Sequence, residues 1–106
     1  MELKLHVYEG KEISKTYTTD TIDFSFGVVE DVLDILDFEK INDKTQLVAM
    51  VLKTSKQLKP FLKDMFDGVT DDELRTVKVS NIVEIFKGLY HYAVDELGMV
   101  AKESKN

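Results

Sequence analysis

The chain begins with a strict alternation of apolar and polar residues. Within residues 3–8, one side of the alternation is apolar and comprises Leu3, Leu5 and Val7. A period of two predicts a strand with one buried face. Residues 12–19 are rich in β-branched and aromatic side chains. They follow a turn at Gly10, a residue that accepts a positive φ at little cost. The pattern predicts a β-hairpin with Ile13 and Tyr17 on one face of its second strand.

From about residue 24 onward, the apolar residues recur at helical spacing. The first stripe comprises Val28, Val29, Val32, Leu33, Ile35 and Leu36. The second comprises Leu47, Val48, Val51, Leu52 and Leu58. The last comprises Ile82, Ile85, Phe86, Leu89, Ala93 and Leu97. This spacing predicts three long amphipathic helices.

Polar residues mark the expected starts of the first two helices. Asp23 or Ser25 is predicted to cap the first helix, which is expected to end near Phe38. Asn42 or Asp43 is predicted to begin the second. Short polar side chains suit these positions because their oxygens accept hydrogen bonds from the free N–H groups of the first turn.

Two residues are expected to interrupt the second helix. Pro60 has no N–H to donate, so the helix is predicted to kink or restart there. Gly68 is predicted to end the helical segment, because it tolerates the left-handed conformation of a helix end.

A short helix and a final long helix are predicted to follow. Thr70 and Glu73 fit the S/T-x-x-E capping box, which opens a helix expected to reach about Thr76. Ser80 or Asn81 is predicted to cap the last helix.

The predicted architecture is α+β and mainly α, in a single domain spanning residues 1–106. A β-hairpin occupies residues 1–20, three to five helices form a small bundle over 24–98, and residues 99–106 form a polar tail. Hydrophobic residues make up 43% of the chain and charged residues 32%, a balance typical of folded domains and not of disordered ones.

The charge balance excludes several function classes. The formal net charge is −6, which opposes the attraction to phosphates that nucleic-acid binding requires and disfavours an anionic membrane surface. The sequence has no apolar run long enough to span a membrane and no signal-peptide pattern at its amino terminus. It has no cysteine, hence no disulfide or thiolate metal site. We therefore expect an acidic, soluble, intracellular protein.

Candidate chemistry is sparse. The acids of residues 67–73 lack the residue order of a calcium loop and fit the first turn of a helix instead. The acidic face of Glu30, Asp34 and Asp37 is interpreted as a solvated helix face. His6 and His91 are too isolated to form a zinc motif. The five glycines form no nucleotide-binding fingerprint. The sequence predicts no catalytic residue, no metal site and no cofactor, so we expect a protein that is not an enzyme.

The motif order nevertheless resembles a known family. A hairpin leads into "FSFGVVEDVLDILD", and a middle helix leads into "FDGVTDDELRTVKVSNIVEIFK". This arrangement, over about residues 1–97, resembles the tail assembly chaperones of long-tailed phages and prophages of Gram-positive bacteria. The quoted motifs mark where helices begin and end, and they are not catalytic patterns.

The resemblance implies a role in building the phage tail. Such chaperones coat the long, helical tape measure protein, keep it soluble, and give way as tail tube protein polymerises around it. Many are also made in a longer, frameshifted form. The resemblance implies the tape measure protein as partner, the tail tube protein as a second one, the cytoplasm of the bacterial host as location, and absence from the mature virion.

The wide apolar stripes are the candidate contact surface for such a partner. The predicted protein-binding residues are Val28, Val32, Leu36, Phe86, Tyr90, Tyr92 and Val94. A homo-oligomer is also expected, with the hairpin edge linking subunits by strand addition. The alternative interpretation is a small acidic inhibitor or antitoxin-like regulator that masks one protein partner. A small enzyme using a Tyr or a carboxylate ranks last.

Overall fold

The computed structural model describes residues 1–36 and 43–98. The elements are β1 (Glu2–Glu9), β2 (Glu12–Asp20), a 3₁₀ turn (Thr21–Asp23), α1 (Phe26–Ile35), α2 (Lys44–Lys53), α3 (Ser55–Met65), α4 (Asp71–Leu74), α5 (Val79–His91) and a π-helical turn (Tyr92–Glu96). A hairpin followed by five helices confirms the α+β, mainly α class for the described residues. Some predictions concern residues outside the described ranges. These are the helix end near Phe38, the possible cap Asn42, Asp37 in the acidic face, and the polar tail at 99–106.

The hairpin forms as predicted but with one shift in its register. Leu3, Leu5 and Val7 are buried, and Gly10 takes a positive φ of 66° in the turn. Tyr17 lies opposite Leu5, whereas Ile13 lies opposite Tyr8. Cross-strand partners share a face, and Leu5 and Tyr8 are on opposite faces of β1. The prediction that Ile13 and Tyr17 share a face is therefore wrong.

The physical reason is a β-bulge. The register shifts between Val7 and Tyr8, and Ser14 is the additional residue of β2 at this point. Its hydroxyl donates to the carbonyl of Val7 at 3.3 Å. An extra residue on one strand reverses the alternation beyond it, which leaves Ile13 on the outer face.

The core lies between the hairpin and the helices. Helix α5 contacts β1 and α2, while α3 contacts both α1 and α2. Gly88 of α5 permits the close approach to β1, since a Cβ there would lie 3.0 Å from Leu3 Cδ2. The largest fully buried side chains are Phe66, Phe86, Leu5, Leu36, Leu58 and Leu89.

Two of the predicted caps are confirmed. The Ser25 side chain accepts a hydrogen bond from the N–H of Val28 at 3.2 Å and begins α1. The Asp43 carboxylate accepts from the N–H of Gln46 at 2.8 Å and begins α2.

The interruption predicted at Pro60 lies upstream of that residue. Pro60 is inside α3, and the chain breaks between α2 and α3 at Thr54, whose φ of −102° and ψ of 14° are not helical. The Thr54 hydroxyl donates to the carbonyl of Met50 at 2.8 Å. A threonine that bonds back to the preceding turn competes with helix continuation, so the new helix has already begun when it reaches Pro60.

The corner after α3 follows the prediction in part. Helix α3 ends with Phe66 as its C-cap, and Gly68 takes its positive φ of 93° two residues later. The N–H of Val69 donates to the carbonyl of Phe66 at 3.1 Å, which closes a turn around Gly68. The predicted capping box of Thr70 and Glu73 is present in full. Helix α4 is shorter than predicted and ends at Leu74 instead of about Thr76.

The predicted cap of the last helix is wrong. The N-cap of α5 is Lys78, and no side chain caps it. Ser80 and Asn81 lie inside the first turn of α5, and the Asn81 side chain bonds to the backbone of β1. A tertiary contact here overrides the local capping preference.

Candidate protein-binding surface

The structure places most of the predicted contact residues in the core. Four of the seven are buried: Val32, Leu36, Phe86 and Tyr92. The other three are half-buried: Val28, Tyr90 and Val94. Helix α5 is covered by β1 and by α2, so its wide apolar stripe is used within the fold. Because these four side chains are buried in the core, they are not available to contact a partner, and the prediction that they do so is wrong.

The exposed apolar side chains lie elsewhere. Ile22 is 70% exposed and Phe26 is 56% exposed, the two highest values among the large apolar residues described. They are four positions apart along the chain, so their Cα atoms lie within about 14 Å of each other. We call Ile22 and Phe26 the apolar corner.

Local hydrogen bonds fix the apolar corner in place. The Asp20 carboxylate accepts from the N–H of Ile22 at 3.2 Å and caps the 3₁₀ turn. Thr21 is fully buried, and its N–H and hydroxyl donate to the carbonyl of Met1 at 2.9 and 3.2 Å. Ser25 caps α1 immediately before Phe26. Because Thr21 is anchored inward, Ile22 is held outward.

The apolar corner lies in an acidic stretch. Residues 20–36 contain five acidic and no basic side chains. The pKa of Asp20 is lowered by the hydrogen bond from the Ile22 amide and by the amino group of Met1, so its carboxylate is ionised at neutral pH. Residues 44–65 have the opposite character, with five lysines and one aspartate. Basic side chains would be the electrostatic complement of this acidic stretch.

Of the remaining exposed apolar residues, Met1 lies beside the apolar corner, since its carbonyl accepts from the N–H of Thr21 at 2.9 Å. The others are dispersed: Ile13 is on β2, Leu52 is on α2, and Leu97 is at the end of the described chain. Single apolar residues on a surface are ordinary and indicate no interface. The apolar corner differs in having two large apolar side chains four positions apart, in a segment held by local hydrogen bonds.

The acidic run at 67–73 has a structural role. The Tyr17 hydroxyl donates to the Glu73 carboxylate at 2.7 Å, and Lys15 Nζ lies 3.9 Å from the same carboxylate. The Tyr17 hydroxyl, followed by the backbone N–H of Thr70, lowers the pKa of Glu73. Asp71 pairs with Lys63 at 3.1 Å. These contacts tie α4 to β2 and α3, and they account for Asp71 and Glu73 without a ligand.

Metal ligands are not gathered anywhere in the described part of the chain. No group of three or more His, Cys, Asp or Glu side chains within residues 1–36 and 43–98 is arranged to hold a metal ion. His6 bonds to Thr16 at 3.0 Å, and His91 lies 3.9 Å from Asp95 one helical turn away.

Comparison with known proteins gives no further guide. No family model, no curated protein and no solved structure matches the chain. Function is therefore inferred from the chain's own residues and from its motif order. Among the helices described, none has the length and apolar character required to cross a membrane.

Sequence reasoning missed the apolar corner because it searched for helical periodicity. Ile22 lies outside every predicted stripe, and Phe26 is the first residue of α1. A local pattern was nevertheless available. In the sequence, Ile22 lies between Asp20 and Asp23, and Phe26 follows the capping residue Ser25. A large apolar residue beside a cap has few core neighbours, since capping positions lie at the surface.

Proposed function

We propose that the chain is a non-catalytic chaperone of phage tail assembly. It binds apolar helical segments of the tape measure protein and keeps that protein soluble in the host cytoplasm until tail tube protein replaces it. The observation that carries the proposal is the apolar corner, with Ile22 and Phe26 exposed in a stretch that is exclusively acidic. The family resemblance of the motif order supports the choice of partner.

The composition of this surface suits a chaperone in two respects. The apolar side chains supply non-directional attraction, which accommodates many different apolar segments of one partner. The surrounding carboxylates keep the complex negatively charged, and like charges on neighbouring copies oppose aggregation. A rigid corner also loses little conformational entropy on binding.

Co-expression with the tape measure protein from the same source tests the proposal. The wild-type chain is expected to raise the soluble fraction of the tape measure protein and to elute with it. The Ile22→Ser/Phe26→Ser variant is expected to lose most of this effect while it keeps the wild-type circular dichroism. Leu52→Ser is the matched control, because Leu52 is 55% exposed but lies on α2, outside the apolar corner.

Three outcomes would contradict the proposal. The first is a tape measure protein whose solubility does not depend on the chain. The second is an equal loss of binding in the Leu52→Ser control and in the apolar-corner variant. The third is a fixed one-to-one complex with a single globular protein, measured by light scattering, which would indicate the inhibitor or antitoxin-like regulator instead.

A further inference from the structure

The outer edge of β1 is covered by a short segment of the α4–α5 corner, residues 76–81, which we call the strap. At the end of the strap, the Asn81 amide oxygen accepts from the N–H of His6 at 2.8 Å, and the amide nitrogen donates to the carbonyl of Lys4 at 2.9 Å. A strand added parallel to β1 would bond to this same pair of groups. The Asn81 amide therefore occupies the place of an added strand.

The beginning of the strap contacts β1 at Tyr8. The Thr76 hydroxyl oxygen accepts from the N–H of Tyr8 at 3.0 Å, and Lys78 Nζ lies 4.9 Å from the centre of the Tyr8 ring. The backbone hydrogen bonds described for the strap stay within the α4–α5 corner, and none of them goes to β1. Side chains alone therefore supply the hydrogen bonds that hold the strap against this edge.

The position of Asn81 shows that these bonds replace a local one. Asparagine is among the best helix-capping residues, and a helix that began at Asn81 would use its side chain as a cap. Helix α5 begins earlier, with Lys78 as its N-cap and without any side-chain cap. The Asn81 amide is thus committed to the edge of β1 instead of the end of its own helix.

The two edges of the sheet differ in this respect. In the described residues the sheet consists of β1 and β2 alone. Thr16 and Thr18 of β2 lie opposite His6 and Lys4, so their backbone groups also face away from the partner strand, and both threonines are exposed. A hairpin with one free edge pairs with one other copy at most. A hairpin with two free edges extends from copy to copy without closing.

We propose that the strap limits self-association of the hairpin. While Asn81 and Thr76 are bonded to β1, this edge accepts no further strand, and an open-ended sheet of hairpins does not form. Without these bonds the strap is free to leave the edge, which exposes the outward backbone groups of Lys4, His6 and Tyr8. This role does not depend on the proposed function, because it is measured on the purified chain alone.

Amide hydrogen exchange followed by NMR tests whether the two side chains keep the edge closed. The N–H groups of His6 and Tyr8 are expected to exchange about tenfold faster in Asn81→Ala/Thr76→Val than in the wild type. The N–H of Leu5, which faces β2, is the internal control and is expected to change less. In Thr76→Val alone, Tyr8 is expected to respond and His6 is not. An unchanged His6 and Tyr8, or an equal change at Leu5, would overturn the proposal.

Light scattering over a range of concentrations tests the limit on growth. The wild-type chain is expected to keep one mass, no larger than that of two copies. Asn81→Ala/Thr76→Val is expected to pass that mass and to grow further with concentration. Val83→Ala is the matched control, because it removes buried methyl groups from the same helix and leaves the strap side chains in place. It is expected to keep the wild-type mass.

A proline in β1 distinguishes edge pairing from general aggregation. His6→Pro removes an N–H that faces away from β2, and proline is tolerated at such edge positions. Added to Asn81→Ala/Thr76→Val, it is expected to restore the wild-type mass, although it adds no stability. Three results would overturn the proposal: growth of the wild type, equal growth of Val83→Ala, or growth that persists after His6→Pro is added. A strap variant that keeps the wild-type mass would do so as well.

Discussion

Replacing Asn81 with alanine removes a side chain that connects α5 to the backbone of β1. The Asn81 amide group bonds to the N–H of His6 at 2.8 Å and to the carbonyl of Lys4 at 2.9 Å. Alanine makes neither bond and leaves a donor and an acceptor on the edge of β1 without these partners. We expect Asn81→Ala to destabilise the folded chain.

The expected loss follows from the two hydrogen bonds. Each contributes about 0.5–1.5 kcal/mol net, so the pair contributes about 1–3 kcal/mol. Alanine is the better helix former and returns roughly 0.5 kcal/mol within α5. The net loss in the free energy of unfolding is therefore about 0.5–2.5 kcal/mol. For a domain of this size, this corresponds to a decrease in Tm of roughly 2–20 °C.

Urea unfolding followed by circular dichroism measures this loss, with all variants at one protein concentration. Ser80→Ala is the matched control. Ser80 is the neighbouring exposed residue and does not cap α5, so its replacement is expected to change stability by less than about 0.5 kcal/mol. The reasoning is refuted if Asn81→Ala matches the wild type, or if Ser80→Ala loses as much as Asn81→Ala.

Three further predictions concern the backbone, the core and pH. Gly68→Ala is expected to lower the free energy of unfolding by about 1–2 kcal/mol, because Gly68 has a φ of 93° that alanine adopts only with strain. Gly27→Ala is expected to raise it by up to about 1 kcal/mol, because Gly27 lies inside α1 with open space around it. Thermal melts compare the two variants. Phe86→Ala is expected to lower the free energy of unfolding in urea by about 3–5 kcal/mol, because Phe86 is in the core. Phe26→Ala is expected to change it by less than about 0.5 kcal/mol, because Phe26 is exposed. Equal losses in the two variants would contradict the assignment of Phe86 to the core and Phe26 to the surface. The lowered pKa of Glu73 means that its ionised carboxylate stabilises the fold above the ordinary Glu pKa, and that this stabilisation is lost as pH falls through the lowered value. The stability difference between wild type and Glu73→Gln should thus shrink on acidification, and a difference independent of pH would contradict the contact with Tyr17.

The elements that were predictable from sequence depend on neighbouring residues. The alternation of Leu3, Leu5 and Val7 is complete within one strand, and a strand with one apolar face has to bury it. The capping box of Thr70 and Glu73 needs only four consecutive residues. The signal for each of these features lies within a few neighbouring residues, which is why the structure contains them as predicted.

The elements that were mispredicted depend on distant residues. Asn81 is 77 positions from Lys4, and its local capping preference is outweighed by two bonds that only the folded chain provides. The bulge at Ser14 is set by pairing with Val7 across the hairpin. The chain breaks at Thr54 and not at Pro60. The Thr54 hydroxyl bonds to the carbonyl of Met50, a contact that bends helices.

The candidate surface was misplaced because helical periodicity reports burial and not exposure. A stripe that is apolar over more than one face lies in the core when strands and helices cover it on two sides. Phe86 is in that position, since its helix lies between β1 and α2. The number of elements that pack on a helix is not a property of the helix's own sequence. Ile22, which no element covers, had no periodic pattern to identify it.

The small size of the apolar corner bears on how the proposed chaperone would work. Burying Ile22 and Phe26 contributes about 1.5–3 kcal/mol each, or about 3–6 kcal/mol before the cost of association. A Kd of 1 mM already requires about 4 kcal/mol, so one copy would hold its partner weakly. Weak single contacts suit a chaperone that has to give way to the tail tube protein. On a long partner with many apolar segments, many copies would bind along its length. Durable coating by the proposed chaperone would therefore require many copies, each of which is released easily.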